Sequence, residues 1–383
     1  MNTKYQILPF RFDRFNDNEY LLTNDVGEYI FLKNEIFEDF VNHRLDVASE
    51  VFQDIASKQI ATTDNVNDVV NMLATKFRTK KSILRDFTTF HMVVPTLRCN
   101  SSCIYCQVAR KNMDDHEADM TKETAKNTVK TILQSPSPGI KIEFQGGDPS
   151  TYFDMVKYII EEAEWQNLFK KKDLSFVICT NVTLLTPKMV KYLKKHKCDI
   201  STSLDGPREL HNMNRPLQDT EHTHERFEEN IKMIREIFGK DSVSALMTTS
   251  KYSLGHFKEI IDEYVRMGYN NIFLRALNPY GFAKQYKDKI AYPIEDFITN
   301  YKEGLDYIIE LNKQGTFFVE GYAALLLKRM LTPFATGFVD LQSPAGVGIA
   351  GAIYDWDGNV YVADDGRMLA RFKNYYFRLG NVN

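Results

Sequence analysis

Strand-period and helix-period stretches alternate along the chain from Phe87 onward. The strand candidates are 91–96, 140–145, 174–180, 199–205, 243–248 and 271–277. Several read as near-continuous apolar runs, the pattern of a parallel sheet covered on both faces. Between them, Tyr152, Met155, Val156, Ile159, Ile160 and Ala163 share one helical face. Phe227, Ile231, Ile234, Ile237 and Phe238 share another, and Phe257, Ile260, Ile261, Tyr264 and Val265 a third. Such stripes face a core and need no cofactor role. Six strand–helix units in sequence predict an α/β fold, a partial, open (β/α)6 barrel over residues 86–315. Right-handed crossovers put the loops that follow the strands at one rim, so a site is expected at the C-terminal strand ends.

Residues 1–85 read as a small α+β module. Strand candidates 19–23 and 28–32 flank Asn24-Asp25-Val26-Gly27, a hairpin signal. Helical stripes follow, one of Ile36, Phe37, Phe40 and Val41, another of Val69, Met72, Leu73 and Phe77. Helices are predicted over 294–311 and 322–331. The section 316–383 ends in a hairpin pattern around Asp357-Gly358-Asn359.

Charge changes the picture by exclusion. The net charge is −3 and is spread along the chain, which implies no nucleic-acid partner and no anionic membrane surface. The first residues lack the basic-then-apolar layout of a signal peptide. No apolar run approaches the ~18 residues that span a bilayer. Of five Cys, three are clustered, which fits a reducing cytosol and a cytoplasmic location better than a disulfide scaffold. Cys179 and Cys198 lie in apolar strand-like runs and read as buried structural thiols.

The candidate chemistry starts at Val93–Arg110, VVPTLRCNSSCIYCQVAR, where Cys99, Cys103 and Cys106 form Cys-x3-Cys-x2-Cys directly after a strand. Three thiolates on one loop suit a [4Fe-4S] cluster. One iron is then left without a protein ligand and can bind a small molecule, as open catalytic metal sites do. A zinc loop would need a second Cys pair, and none is present. Further motifs fall at later strand ends. They are Gln145-Gly146-Gly147-Asp148-Pro149, then Thr180-Asn181-Val182-Thr183, then Ser203-Leu204-Asp205-Gly206-Pro207 with Arg215 beyond it. Arg275 is a charge inside the apolar sixth strand, so it should face inward toward a partner or a substrate. His211 reads as a structural loop residue.

These motifs resemble those of the radical S-adenosylmethionine (SAM) enzymes, including Tyr105 just before the last Cys. The resemblance implies that Cys99, Cys103 and Cys106 hold one [4Fe-4S] cluster whose free iron chelates the methionine end of SAM. Gly146, Gly147 and Asp148 stand where the family has Gly-Gly-Glu-Pro, which binds the methionine ammonium. Ser203 and Arg215 match the family's contacts to the SAM ribose and carboxylate. Asn181 lies in a stretch that resembles the Thr-Asn-Gly-x-Leu-Leu element of peptide-modifying members, with Val182 where Gly is usual, and would bond either ligand or a neighbouring strand end. Gln145 and Arg275 are candidate substrate contacts.

The C-terminal section is similar to a degenerate SPASM extension. Cys is expected at the positions held by Ala345 and Ala363, and no Cys follows Cys198, so no auxiliary cluster is supported. Asp364 matches a catalytic base of sulfatase-maturing relatives, but a solvated turn carboxylate is the favoured reading. SPSPGIKIEFQGGDP, STSLDGPRELHNMNRP, SALMTTS and LQSPAGVGIAG are similar to the His-Xaa-Ser system radical SAM maturases. That resemblance implies hydrogen abstraction from a ribosomal precursor peptide, with a crosslink or another C–H modification as product. Its implied partners are the precursor, an electron donor such as flavodoxin or ferredoxin, and a partner maturase. The N-terminal module resembles the winged-helix modules that bind precursors in such enzymes; a cap on the catalytic domain is the alternative.

Overall fold

The hairpin signal near the start of the chain produces a three-stranded antiparallel sheet of β1 (Arg11–Arg14), β2 (Glu19–Thr23) and β3 (Tyr29–Lys33), in that spatial order. The β2–β3 turn uses Gly27 at φ +92°, with the Glu28 N–H on the Asn24 side chain at 3.1 Å. Helices α1 (Asn34–Val41), α2 (Glu50–Ser57) and α3 (Val66–Lys80) follow. Leu22 and Leu32 of the sheet pack with Phe37, Phe40, Phe52 and Ile55 into a small core. The stripe on α3 behaves differently from the pattern. That helix buries no residue, and Met72 and Phe77 are exposed.

The computed structural model describes residues 5–342 and 348–383. It divides into two compact units, Met1–Leu84 with Leu326–Ser343, and Arg85–Leu325 with Pro344–Asn383.

The larger unit is built on six parallel strands. They are β4 (Phe90–Thr96), β5 (Gly139–Gly146), β6 (Asp173–Cys179), β7 (Cys198–Ser203), β8 (Val243–Thr248) and β9 (Leu274–Arg275). Each pairs in parallel with its sequence neighbour. The connections carry α4 (Lys122–Ile132), α5 (Phe153–Lys170), α6 (Pro187–Lys195), α7 (Arg208–Asn214), α8 (Thr223–Phe238) and α9 (Phe257–Arg266). Beyond β9 come α10 (Ile294–Lys313) and α11 (Gly321–Leu331). This is the partial barrel that the alternating pattern predicts. The hairpin of β10 (Gly351–Tyr354) and β11 (Asn359–Tyr361) turns at Gly358, φ +83°. Strand β10 pairs in parallel with β4, so the hairpin and β12 (Arg378–Asn381) extend the same sheet past its first strand.

Two features differ from the pattern. Strands β5, β7 and β8 are covered on one face only, whereas β4 and the centre of β6 are buried on both, as their apolar runs predict. In β5, Ile140, Ile142 and Phe144 are buried, while Lys141 is exposed and Glu143 and Gln145 are half-buried. Strands β7 and β8 alternate the same way, leaving Ser201, Ser203, Leu246 and Thr248 on the open inner face. A period of two puts successive side chains on opposite faces. The inner face is therefore polar and free to line a chamber. The sixth strand is also broken. Asn271–Ile272 pairs with Val319–Glu320 instead of β8, and the buried Glu320 carboxylate accepts the Leu274 N–H at 3.0 Å. Among the described residues no helix is long and apolar enough to cross a membrane.

The outer helices are pinned by an ion cluster. Glu263 on α9 is buried, with His224 Nε2 at 2.7 Å and Arg266 Nη2 at 2.7 Å. Burial raises the Glu263 carboxyl, but the hydrogen bonds from Arg266 and His224 outweigh it and bring it down to about 2. A depressed carboxylate stabilises the folded chain above its ordinary value of 4.5 and loses that contribution as pH falls toward 2. Glu263→Gln should melt below the native protein at neutral pH. The gap should narrow as pH is lowered from about 5 toward about 3, measured by thermal denaturation. A gap that is independent of pH would contradict this.

Candidate functional site

The three Cys lie on the loop that leaves the C-terminal end of β4, and other strand-end loops hold that loop in place. Ser102 N–H donates to Pro216 O at 2.7 Å, and Ile104 N–H to Asn214 O at 3.1 Å. The carbonyl of Cys106 accepts the Phe282 N–H at 2.7 Å. Against the other side sits the Gly-Gly turn at the end of β5. Gly147 N–H donates to Thr96 O at 3.0 Å and Asp148 N–H to Arg98 O at 2.7 Å. A methyl group on Gly146 would collide with the Thr96 carbonyl, and one on Gly147 with the carbonyls of Leu97 and Arg98. The glycines are needed for chain-to-chain contact with the Cys loop, whatever they offer to a ligand.

Asp148 is 2% exposed. Its carboxylate accepts the N–H and hydroxyl of Ser150 at 2.9 and 2.6 Å, the Thr180 hydroxyl at 3.0 Å and the Asn181 N–H at 2.8 Å. Asn181 passes the linkage on. Its amide donates to Asn100 Oδ1 and Ser101 Oγ, both at 2.8 Å, and its oxygen accepts from Thr183. Both side chains are thus occupied by protein partners. What Asp148 and its glycines leave for a ligand is backbone.

A second network lies under the loop. Tyr105 Oη donates to Asp205 Oδ2 at 2.5 Å and accepts from Arg215 Nη1 at 2.7 Å. Burial raises the Asp205 carboxyl against the pull of Arg215 and Tyr105. Burial opposes the charge on Arg215 too, but Cys103, Tyr105 and Asp205 outweigh it and hold the guanidinium charged. Arg215 is therefore an interior cation beside the Cys loop. His211, on helix α7 instead of in a loop, is buried with its pKa lowered by burial, Arg215 and His224. Its neutral Nδ1 accepts the Asp205 N–H at 3.3 Å.

One cavity of about 230 Å³ collects these groups. Cys99, Cys103, Cys106, Gln145, Gly146, Gly147, Asp148, Asn181, Ser203, Arg215 and Arg275 all line it. Asp364 does not; its carboxylate is held by the buried Arg367 at 2.6 and 2.9 Å. Ala363 precedes it at the start of the helix Asp364–Ala370, and Ala345 lies outside the described residues. Arg275 faces the cavity with no side-chain partner among the described residues. Cys179, expected as a buried structural thiol, and Thr248, which no motif marks, also line the cavity. Cys179 is half-buried, its thiol raised by burial and by Glu143. The alternation in Lys141, Glu143 and Gln145 was the available signal that this face is a chamber wall.

The donor set fits an iron–sulfur cluster. It consists of soft thiols on a short loop, the ligand type that selects such clusters. Burial pushes the Cys99 thiol well up, with Asp148 and Cys103 adding to it, and pushes Cys103 up to about 11 against the pull of Arg215. Left alone these groups are neutral thiols; a cationic iron centre would displace their protons. Among the described residues no group of three or more His, Cys, Asp or Glu is gathered for a metal ion. Thiolates around a single zinc would stand only about 4 Å apart, given Zn–S bonds of ~2.3 Å.

Residues 93–264 match the model of the Radical SAM superfamily. The barrel has the radical SAM fold. A solved structure of anSMEcpe with bound AdoMet superimposes with a TM-score of 0.64 at 20% identity, covering 76% of this chain and 78% of that one. Streptococcus suis SuiB bound to its precursor peptide SuiA superimposes with a TM-score of 0.53 at 16% identity, covering 96% and 83%. In sequence, an uncharacterized protein of Methanothermobacter thermautotrophicus is 27% identical over 229 residues, 56% of this chain and 81% of that protein. The radical SAM cyclopropyl synthase TigE of Paramaledivibacter caminithermalis is 24% identical over 205 residues. A cysteine-type anaerobic sulfatase-maturating enzyme of Clostridium perfringens is 29% identical over 125 residues. These last two matches cover 50% and 30% of this chain, and only 40% and 32% of the relatives' own lengths.

Gly147→Ala should displace the Cys loop and lower iron uptake on anaerobic reconstitution. Gly380→Ala, where an added methyl meets nothing within 4 Å, is the control. Equal iron content in the two variants would show that the contact does not position the loop.

Proposed function

We propose that this radical SAM enzyme abstracts a hydrogen atom from a ribosomally made precursor peptide and installs a crosslink, such as a carbon–carbon cyclophane, or another C–H modification. The observation that carries this reading is the single cavity holding three loop thiols, the Gly-Gly strand end and Arg215, opening onto a polar inner sheet face. The likeness in sequence to TigE and in fold to SuiB supports a peptide as substrate.

Cys99, Cys103 and Cys106 would hold a [4Fe-4S] cluster. When bound, it supplies the electron that splits SAM into methionine and a 5′-deoxyadenosyl radical. The chain's residues orient the reactants and keep water out. Backbone groups of Gly146–Asp148 would receive the methionine ammonium, since the Asp148 side chain is already committed. Ser203 would meet the ribose and Arg215 the carboxylate, where a guanidinium held charged in the interior is well matched. Asn181 would act through the loop it braces. Arg275, cationic and unpaired, would take an anionic or carbonyl group of the substrate. Asp364 is proposed as no more than a turn carboxylate on Arg367.

Formylglycine generation is a second reading, favoured by the sulfatase-maturating relative. Alanine at positions 345 and 363, where the resemblance expects auxiliary-cluster Cys, weighs against it.

Anaerobically reconstituted protein with a strong reductant and SAM should release 5′-deoxyadenosine, detected by mass spectrometry, and Cys99→Ala should release none. No release from fully iron-loaded protein, with or without peptide, would sink the enzymatic reading. Arg275→Ala should keep peptide-independent SAM cleavage. With a peptide substrate it should raise KM by about tenfold or more, the scale of one lost charge-assisted hydrogen bond. A matching rise in KM for SAM would instead assign Arg275 to the cofactor.

A further inference from the structure

Arg215 stands in the interior without a direct ion pair. Among the described residues its guanidinium makes one side-chain hydrogen bond, from Nη1 to Tyr105 Oη at 2.7 Å, and no ion pair joins it to a carboxylate. Asp205, 0% exposed, lies on the other side of that hydroxyl and accepts its proton at 2.5 Å. Separate parts of the chain meet here. Tyr105 comes from the Cys loop, Asp205 from the turn after β7, and Arg215 from the residue that follows α7. Each is also held by other contacts. The Asp205 carboxylate accepts the Thr248 N–H at 3.4 Å, and the Asp205 N–H donates to His211 Nδ1 at 3.3 Å. The Tyr105 ring packs with Ala283 and Ile290 and lies 5.9 Å from the guanidinium carbon of Arg215. The ring and the carboxylate therefore have fixings that do not depend on the hydroxyl.

A guanidinium and a carboxylate that meet in an interior close into a bidentate pair, because each supplies what the other lacks. Such a pair would occupy the planar fork with which arginine recognises a ligand carboxylate. A hydroxyl between the two groups prevents closure. It donates to the carboxylate and accepts from the guanidinium, so both are served while they stay apart. Most of the Arg215 N–H donors are then left over, and the side chain lines the cavity. We propose that the Tyr105 hydroxyl is a spacer that keeps Arg215 off Asp205 and so leaves the guanidinium open to the carboxylate of SAM. The inference rests on the assignment of Arg215 to that carboxylate above. Tyr105 and Asp205 are positioning residues here, and they act on the ligand through Arg215. Tyr105 lies between Cys103 and Cys106, so the loop proposed to hold the cluster also sets the group that reads the methionine end of SAM.

The test is equilibrium dialysis on the anaerobically reconstituted full chain, with SAM and decarboxylated SAM as the two probes. The quantity read is the preference for SAM, a ratio taken within each preparation and so independent of its iron content. Any preference that the cluster iron itself imposes is common to all variants. Tyr105→Phe keeps the ring and removes only the hydroxyl. It leaves Asp205 a buried carboxylate short of a donor, which drives closure onto Arg215. The preference for SAM should fall by about tenfold, the scale of one charge-assisted contact. Adding Asp205→Asn to Tyr105→Phe removes the group that captures Arg215, and the preference should return. A merely structural role for Tyr105 predicts no such rescue. An unchanged preference in Tyr105→Phe would overturn the proposal, as would a double variant no better than Tyr105→Phe alone. Arg215→Gln should lower the preference at least as far as Tyr105→Phe. If it does not, the assignment of Arg215 to the SAM carboxylate fails and the spacer with it. If it does while Tyr105→Phe has no effect, the spacer alone fails.

Discussion

A buried carboxylate holds the strand ends of the barrel together. Asp148 takes four hydrogen bonds, two from Ser150 and one each from Thr180 and Asn181, while its own N–H is tied to Arg98 in the Cys loop. A charge this deep is tolerated only when every lone pair has a donor. That requirement fixes the loops after β4, β5 and β6 relative to one another. From Asn181 the same network runs to Asn100 and Ser101, beside Cys99. The Cys loop is therefore held by the protein's own hydrogen bonds. An Asp at this position is short enough to cap the turn at Ser150 while still reaching the next strand end.

The second constraint is electrostatic. Tyr105 bridges Asp205 and Arg215 beneath the loop, so a cation and a carboxylate sit in the interior with one hydroxyl between them. Arg215 pulls the Cys103 thiol down against the rise that burial imposes on it. Around this centre the open face of the sheet stays polar. Its side chains face a chamber, whereas those on the opposite face pack against the helices.

Much of the fold was legible as periodicity. Strand β8 and helix α5 lie where their patterns put them, and the Asp357-Gly358 hairpin forms as its turn residues require. Coverage on both faces holds at β4 and the centre of β6 but not at β5, β7 and β8, where strands such as Ile140–Gln145 alternate apolar with polar residues. Their strict alternation, visible in the same letters, meant that one face would be open. The apolar stripe of α3 marked a helix correctly but not a buried one. Cys179 was taken for a packed thiol, and only its place at the end of an inward-facing row turns it toward the cavity.

The candidate residues for the chemistry could be read from the sequence alone. Three thiols at close spacing, two glycines and an arginine at strand ends are local signals, because the chemistry depends on residue type and short-range geometry. Tertiary structure alone decided what those residues are free to do. Asn181 and the side chain of Asp148 are consumed in bracing the loop, Asp364 is held by Arg367 away from the cavity, and Arg275 has no side-chain partner there among the described residues. Hydrogen-bond partners drawn from strand ends some 30 to 80 residues apart leave no mark in a local pattern. They exist only once the barrel brings those ends to one rim.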